Sequence, residues 1–128
     1  MNWFAKSPKK NSPVPAAASD LRIDAEGQAL SKIKNMCAVA TASAESVAQC
    51  LHDDLCRGER QRFESAKRMS LELAKGISDV LYRDTALQQI VELCMKANDI
   101  ETARILVRGI QTGMIREKLV GEYPVVFY

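Results

Sequence analysis

Cys50, His52 and Cys56 fall within seven residues of one another, with Asp53 and Asp54 between them. On one helix His52 and Cys56, four apart, share a face and could both ligate a metal. Cys50, two residues from His52, turns away from that face. Structural zinc sites carry paired close ligands, and the chain has no Cys-x-x-Cys and only one histidine. A site would need Cys37 or Cys94 brought in by the fold, so no metal and no cofactor is expected. Cysteine–histidine catalysis needs a base in hydrogen-bond reach of the thiol and a third group to orient that base. An exposed helical pair has neither an orienting group nor oxyanion donors. Gly-rich phosphate loops, nucleophile elbows and helical metalloprotease motifs do not occur. These residues point away from an enzyme, and no catalytic residue is assigned.

The elements that carry these residues read as helices. The chain has 128 residues, 47% of them apolar but only 5% aromatic. Ala, Leu, Ile, Val and Met must therefore supply most of the core, which suits close helix–helix packing better than a β-sandwich. Five apolar stripes follow the spacing of a single buried helical face. They are Leu30–Ile33–Cys37–Ala40, Ala44–Val47–Ala48–Leu51–Leu55, Phe63–Ala66–Ser70–Leu73–Ile77, Leu87–Ile90–Val91–Cys94 and Ala103–Leu106–Val107–Ile110. Ser43 is expected to cap the second helix, and Gly58 to separate the second from the third. Gly76 ends the third stripe, with Ser78 and Asp79 placed to cap the next helix. Asn98-Asp99 breaks the chain again, and Gly109 and Gly113 close the fifth helix before a short last one at about 114–120. The expected fold is all-α: five to six helices in antiparallel hairpins, as a small bundle or a short α-solenoid.

Residues 1–18 differ. They hold three of the four prolines and no helical or strand period, and are expected to form a flexible, disordered arm. Lys6, Lys9 and Lys10 against Asp20 give residues 1–20 a charge of +2, which is the whole formal charge of the chain. Residues 19–122 form the expected single helical domain, neutral overall, and 123–128 an apolar tail expected to dock back on it. Trp3 and Phe4 on the arm could anchor a partner. With the three lysines they could also contact nucleic acid, the alternative function.

The start lacks the continuous apolar run of about 7–15 residues of a secretory signal, and no stretch nears the roughly 18 needed to span a membrane. A cytoplasmic location with reduced thiols is expected, most of them buried as small apolar groups.

A shift of 33 positions superposes Lys75-Gly76-Ile77 on Arg108-Gly109-Ile110. It also pairs Ser70 with Ala103, Leu73 with Leu106, Leu81 with Met114, Arg83 with Arg116 and Asp84 with Glu117. With Asn98-Asp99-Ile100-Glu101-Thr102-Ala103, this pattern over residues 60–122 resembles the helix–turn–helix repeats of tetratricopeptide-type α-solenoids. The family's Trp, Leu-Gly pair and aromatic are absent. The resemblance implies a scaffold that presents a groove to a peptide or protein, without catalysis, and leaves room for a homo-oligomer. On it, Lys75, Arg83, Arg108 and Arg116 would line equivalent faces of two hairpins and grip an acidic ligand. The alternative is a solvated face on which Asp79 and Arg83, four apart, pair along one helix.

Overall fold

The computed structural model describes residues 14–50 and 56–127. Five helices follow in order: α1 (Val14–Gln49), α2 (Arg57–Lys75), α3 (Val80–Lys96), α4 (Ile100–Gly109) and α5 (Gly113–Glu122). A 3₁₀ turn, Pro124–Phe127, comes last. There is no strand among the described residues. The fold is all-α, built from antiparallel hairpins. Residues 1–13, and with them Trp3, Phe4 and the three arm lysines, lie outside the described residues. The helix begins at Val14, ahead of the boundary after residue 18 drawn from composition. Pro15 sits in its first turn, where a missing N–H breaks no intrahelical bond.

α1 corrects the expected break at Ser43. Ile33, Cys37, Ala40, Ala44 and Val47 form one buried stripe at steps of four, three, four and three residues. Ser43 lies inside it, buried and helical. With the stripe in phase and no Gly or Pro nearby, burial of the whole face outweighs the local capping preference of one serine. The first two expected helices are one, and the real break follows Gln49. Gly58 falls in the first turn of α2 rather than ahead of it.

α3 is the central helix. It packs against α1, α2, α4 and α5, and buries Asp84, Ala86, Ile90, Val91, Leu93 and Cys94. Its C-terminus is closed by Asn98, whose φ of 61° is left-handed. Asp99 N bonds Cys94 O at 2.8 Å and Asn98 N bonds Met95 O at 3.1 Å, a Schellman closure that Asn tolerates in place of Gly. Asp99 then caps α4 by accepting from Thr102 N, and Asp79 caps α3 by accepting from Tyr82 N.

The two turns 33 residues apart are built alike. Gly76 and Gly109 close α2 and α4, and the isoleucines that follow, Ile77 and Ile110, are both buried. Each turn is fastened by a carboxylate from an earlier helix. Glu26 of α1 accepts from Ser78 N (2.9 Å), Asp79 N (3.0 Å) and Ser78 Oγ. Asp84 of α3 accepts from Gln111 N (3.0 Å), Thr112 N (2.7 Å) and Thr112 Oγ1 (2.6 Å). Both carboxylates meet the N-terminal end of a helix, where orphaned N–H groups and the dipole favour negative charge.

The C-terminal tail docks on the domain. The 3₁₀ turn packs against α4 and α5, Val126 is buried, and Arg104 Nε donates to Val125 O at 3.0 Å.

Candidate functional site

The cysteine–histidine cluster is not on one helix. Cys50 follows α1, Cys56 is the N-cap residue of α2, and the two are joined in a disulfide with Cα atoms 6.4 Å apart. The expectation that all four thiols are reduced is corrected at this pair. Proximity in sequence, at the meeting point of two helices, brings the sulfurs together. His52, Asp53 and Asp54 lie outside the described residues. Cys37 and Cys94 are free and buried, as expected of small apolar groups. Burial pushes both thiols up, Cys94 to about 12 with Asp99 adding to the rise, so neither supplies a thiolate near neutral pH. Among the described residues no group of three or more His, Cys, Asp and Glu side chains could hold a metal ion.

Two grooves flank α2. The first, of about 680 Å³, lies between α2, α3 and α4. Leu71, Leu87 and Leu106 give it apolar walls, and Lys67, Arg68, Lys75 and Arg83 line it against a single acid, Glu72. Lys75 and Arg83 thus come together as the repeat suggested, but Arg108 and Arg116 do not join them. Arg116 Nη2 donates to Arg108 O at 3.2 Å on an exposed surface.

Arg83 does not pair with Asp79, which caps its own helix. Its Nη2 lies 3.7 Å from Asp84 Oδ1, and both atoms are buried without a hydrogen-bond partner among the described residues. Lys67 stands at the other end. It bonds Asp99 Oδ2 at 2.8 Å and Glu64 Oε1 at 3.0 Å, over the ring of Phe63. Burial alone would raise the Asp99 carboxyl, but the hydrogen bonds from Lys67 and Thr102 outweigh it and hold Asp99 below its ordinary value. Burial likewise works against the Lys67 ammonium, and the bonds to Asp99 and Glu64 more than reverse it, so Lys67 is raised.

The second groove lies between α1 and α2 and is apolar. Its upper part, about 650 Å³, is lined by Met36, Val39, Ala40, Ala66 and Met69, with polar residues around them. A second part of about 810 Å³ shares Asn35, Met36 and Met69 with it and ends at Leu73. Val39 is 83% exposed and Met69 54%. Sequence reasoning missed this groove because both side chains lie off the buried stripes and read as isolated surface residues. Positions 62, 65, 66, 69 and 73 of α2 face it, and 67, 71, 74 and 75 face the basic groove. Arg68 and Glu72 line both.

No protein-family model, curated protein or solved structure matches the chain. Function is therefore read from these two grooves. Among the described residues no helix is long and apolar enough to cross a membrane.

Proposed function

We propose that the protein is a non-enzymatic protein–protein interaction module, an adaptor or regulatory subunit. In this reading it seats an amphipathic helix of a partner in the α1/α2 groove. The observation that carries it is the pair of exposed apolar side chains, Val39 and Met69, that continues from half-buried Met36 along two antiparallel helices. Isolated apolar residues on a surface need no explanation, but a continuous apolar groove rimmed by polar groups is what partner helices occupy. Methionines suit such a seat because their unbranched side chains adapt to a ligand's shape. The sequence resemblance of residues 60–122 to tetratricopeptide-type repeats is in keeping with the same use.

Photo-cross-linking residues placed at Val39, Met69 and Ile105 in the full chain test this in cells. Ile105 is 60% exposed on α4, away from the groove, and serves as control. The expected result is one adduct at the first two positions and none at Ile105. The cross-linked peptide should carry apolar residues at i, i+3, i+4 and i+7. Equal labelling at Ile105, or a peptide without that spacing, contradicts the reading.

A further inference from the structure

We propose that the groove between α2, α3 and α4 is a second, separate binding site, whose ligand is an acidic peptide segment with apolar side chains among its carboxylates. This goes beyond the helix-seating role of the α1/α2 face, because it concerns other residues and a ligand of opposite character.

Charge complementarity identifies the ligand. Four cations and one acid line this groove, on a chain whose formal charge is only +2. Lys67 is already held by Asp99 and Glu64. Lys75 reaches Glu72 only across an exposed 3.3 Å contact, and Arg68 has no ion-pair partner among the described residues. Arg83 has one weak ion pair, 3.7 Å to Asp84. Its Nη2 is buried against Asp84 Oδ1, while part of the side chain stays exposed along the groove. The other guanidinium nitrogens have no hydrogen-bond partner among the described residues and can meet a carboxylate, which planar Arg suits. Leu71, Leu87 and Leu106 add an apolar lining, which a chain of carboxylates alone would leave uncovered. Flanking carboxylates on Arg68, Lys75 and Arg83, with a leucine-sized side chain between them, satisfy both parts. A nucleic acid would meet the same cations, but its sugars and thymine methyls do not match the leucine-sized side chain that the space between three leucines takes, which favours the peptide.

Fluorescence anisotropy with a labelled peptide of repeating Glu-Glu-Leu tests this on the full chain. Peptides of repeating Glu-Glu-Ser and Lys-Lys-Leu and a thymidine oligonucleotide serve as comparisons. We expect the Glu-Glu-Leu probe to bind at low salt and weaken as salt rises. It should bind tighter than Glu-Glu-Ser, and lose about tenfold or more in affinity in the Lys75→Glu and Arg83→Gln proteins. The double variant Val39→Asn, Met69→Gln should bind it as the parent does. Lys75 is exposed, so its substitution reports on binding even if Arg83→Gln perturbs folding; circular dichroism checks both. Absence of binding at low salt, equal affinity in Lys75→Glu, or tighter binding of the oligonucleotide overturns the proposal. None of these outcomes bears on the α1/α2 groove, whose own test uses different residues.

Discussion

The two grooves share one helix and differ in what holds them. The α1/α2 groove rests on close packing: Ala40 of the buried α1 stripe and Ala66 of α2 line it, and its lining side chains make few directed bonds. The α2/α3/α4 groove is held by charge. Lys67 ties α2 to the start of α4 at one end, and Asp84 ties α3 to the start of α5 beneath Arg83. Packing leaves a surface that can adapt to its occupant. A network of ion pairs fixes a set of positions and therefore selects for charge. The difference teaches that one helix can serve two partners if its faces are positioned by unlike forces.

The largest expected effect comes from Asp84, which is fully buried. Asp84→Ala leaves two backbone N–H groups of the α4–α5 turn without their acceptor and removes the carboxylate 3.7 Å from Arg83. It should cost about 3 kcal/mol in urea denaturation. Binding of the Glu-Glu-Leu probe should fall with it, while the apolar groove keeps its ligand. A loss below about 0.5 kcal/mol, the range of ordinary surface changes, would show that charge does not hold this side.

The disulfide comes next. It closes a short loop between α1 and α2, beside Gly58 at the end of the apolar groove. Reduction, or Cys50→Ser with Cys56→Ser, should cost about 2 kcal/mol, the lower end for a loop this short. This change should weaken the apolar groove's ligand and spare the acidic probe, reversing the pattern of Asp84→Ala.

The Lys67–Asp99 pair gives the smallest effect, about 1 kcal/mol for a partly exposed bridge. Because Asp99 is lowered in the folded protein, its contribution is complete above the unfolded carboxyl value of about 3.9 and disappears as pH falls through the folded value. Lys67 is raised, so its share is complete below the unfolded lysine value and is lost as pH climbs through the folded one. Comparing urea stability of the parent and Asp99→Asn across the acid range checks this. The difference between them should shrink toward zero at the acid end. A constant difference would contradict it.

Much of the fold was legible because its signals are local. Asn98-Asp99 ends α3 and caps α4 through backbone geometry and capping, which depend on a few adjacent residues; Gly76 and Gly109 also fall at helix ends but without a left-handed φ, and Gly113, expected to close a helix, opens α5 instead. Ser43 misled for the complementary reason: its capping preference is local, but its position is decided by the stripe packing on α2 and α3. The 33-residue period singled out Lys75 and Arg83 together with Arg108 and Arg116, and only the first two line the groove. Lys67 and Asp84 were not legible, since their partners Asp99 and Thr112 are 32 and 28 residues away. The apolar groove was least legible of all. Exposure of Val39 and Met69 is a property of which helix faces are left uncovered, and no spacing in the chain encodes it.

Methyl NMR with labelled methionine and leucine tests the separation of the two grooves most directly. Two ligands are added in turn: the peptide mapped by cross-linking at Val39 and Met69, and the Glu-Glu-Leu probe. The account predicts that the first shifts the methyls of Met36 and Met69, and the second those of Leu71, Leu87 and Leu106, with Met114 as an exposed control unmoved by either. If both ligands shift the same set of methyls, α2 has one binding surface and the account is wrong.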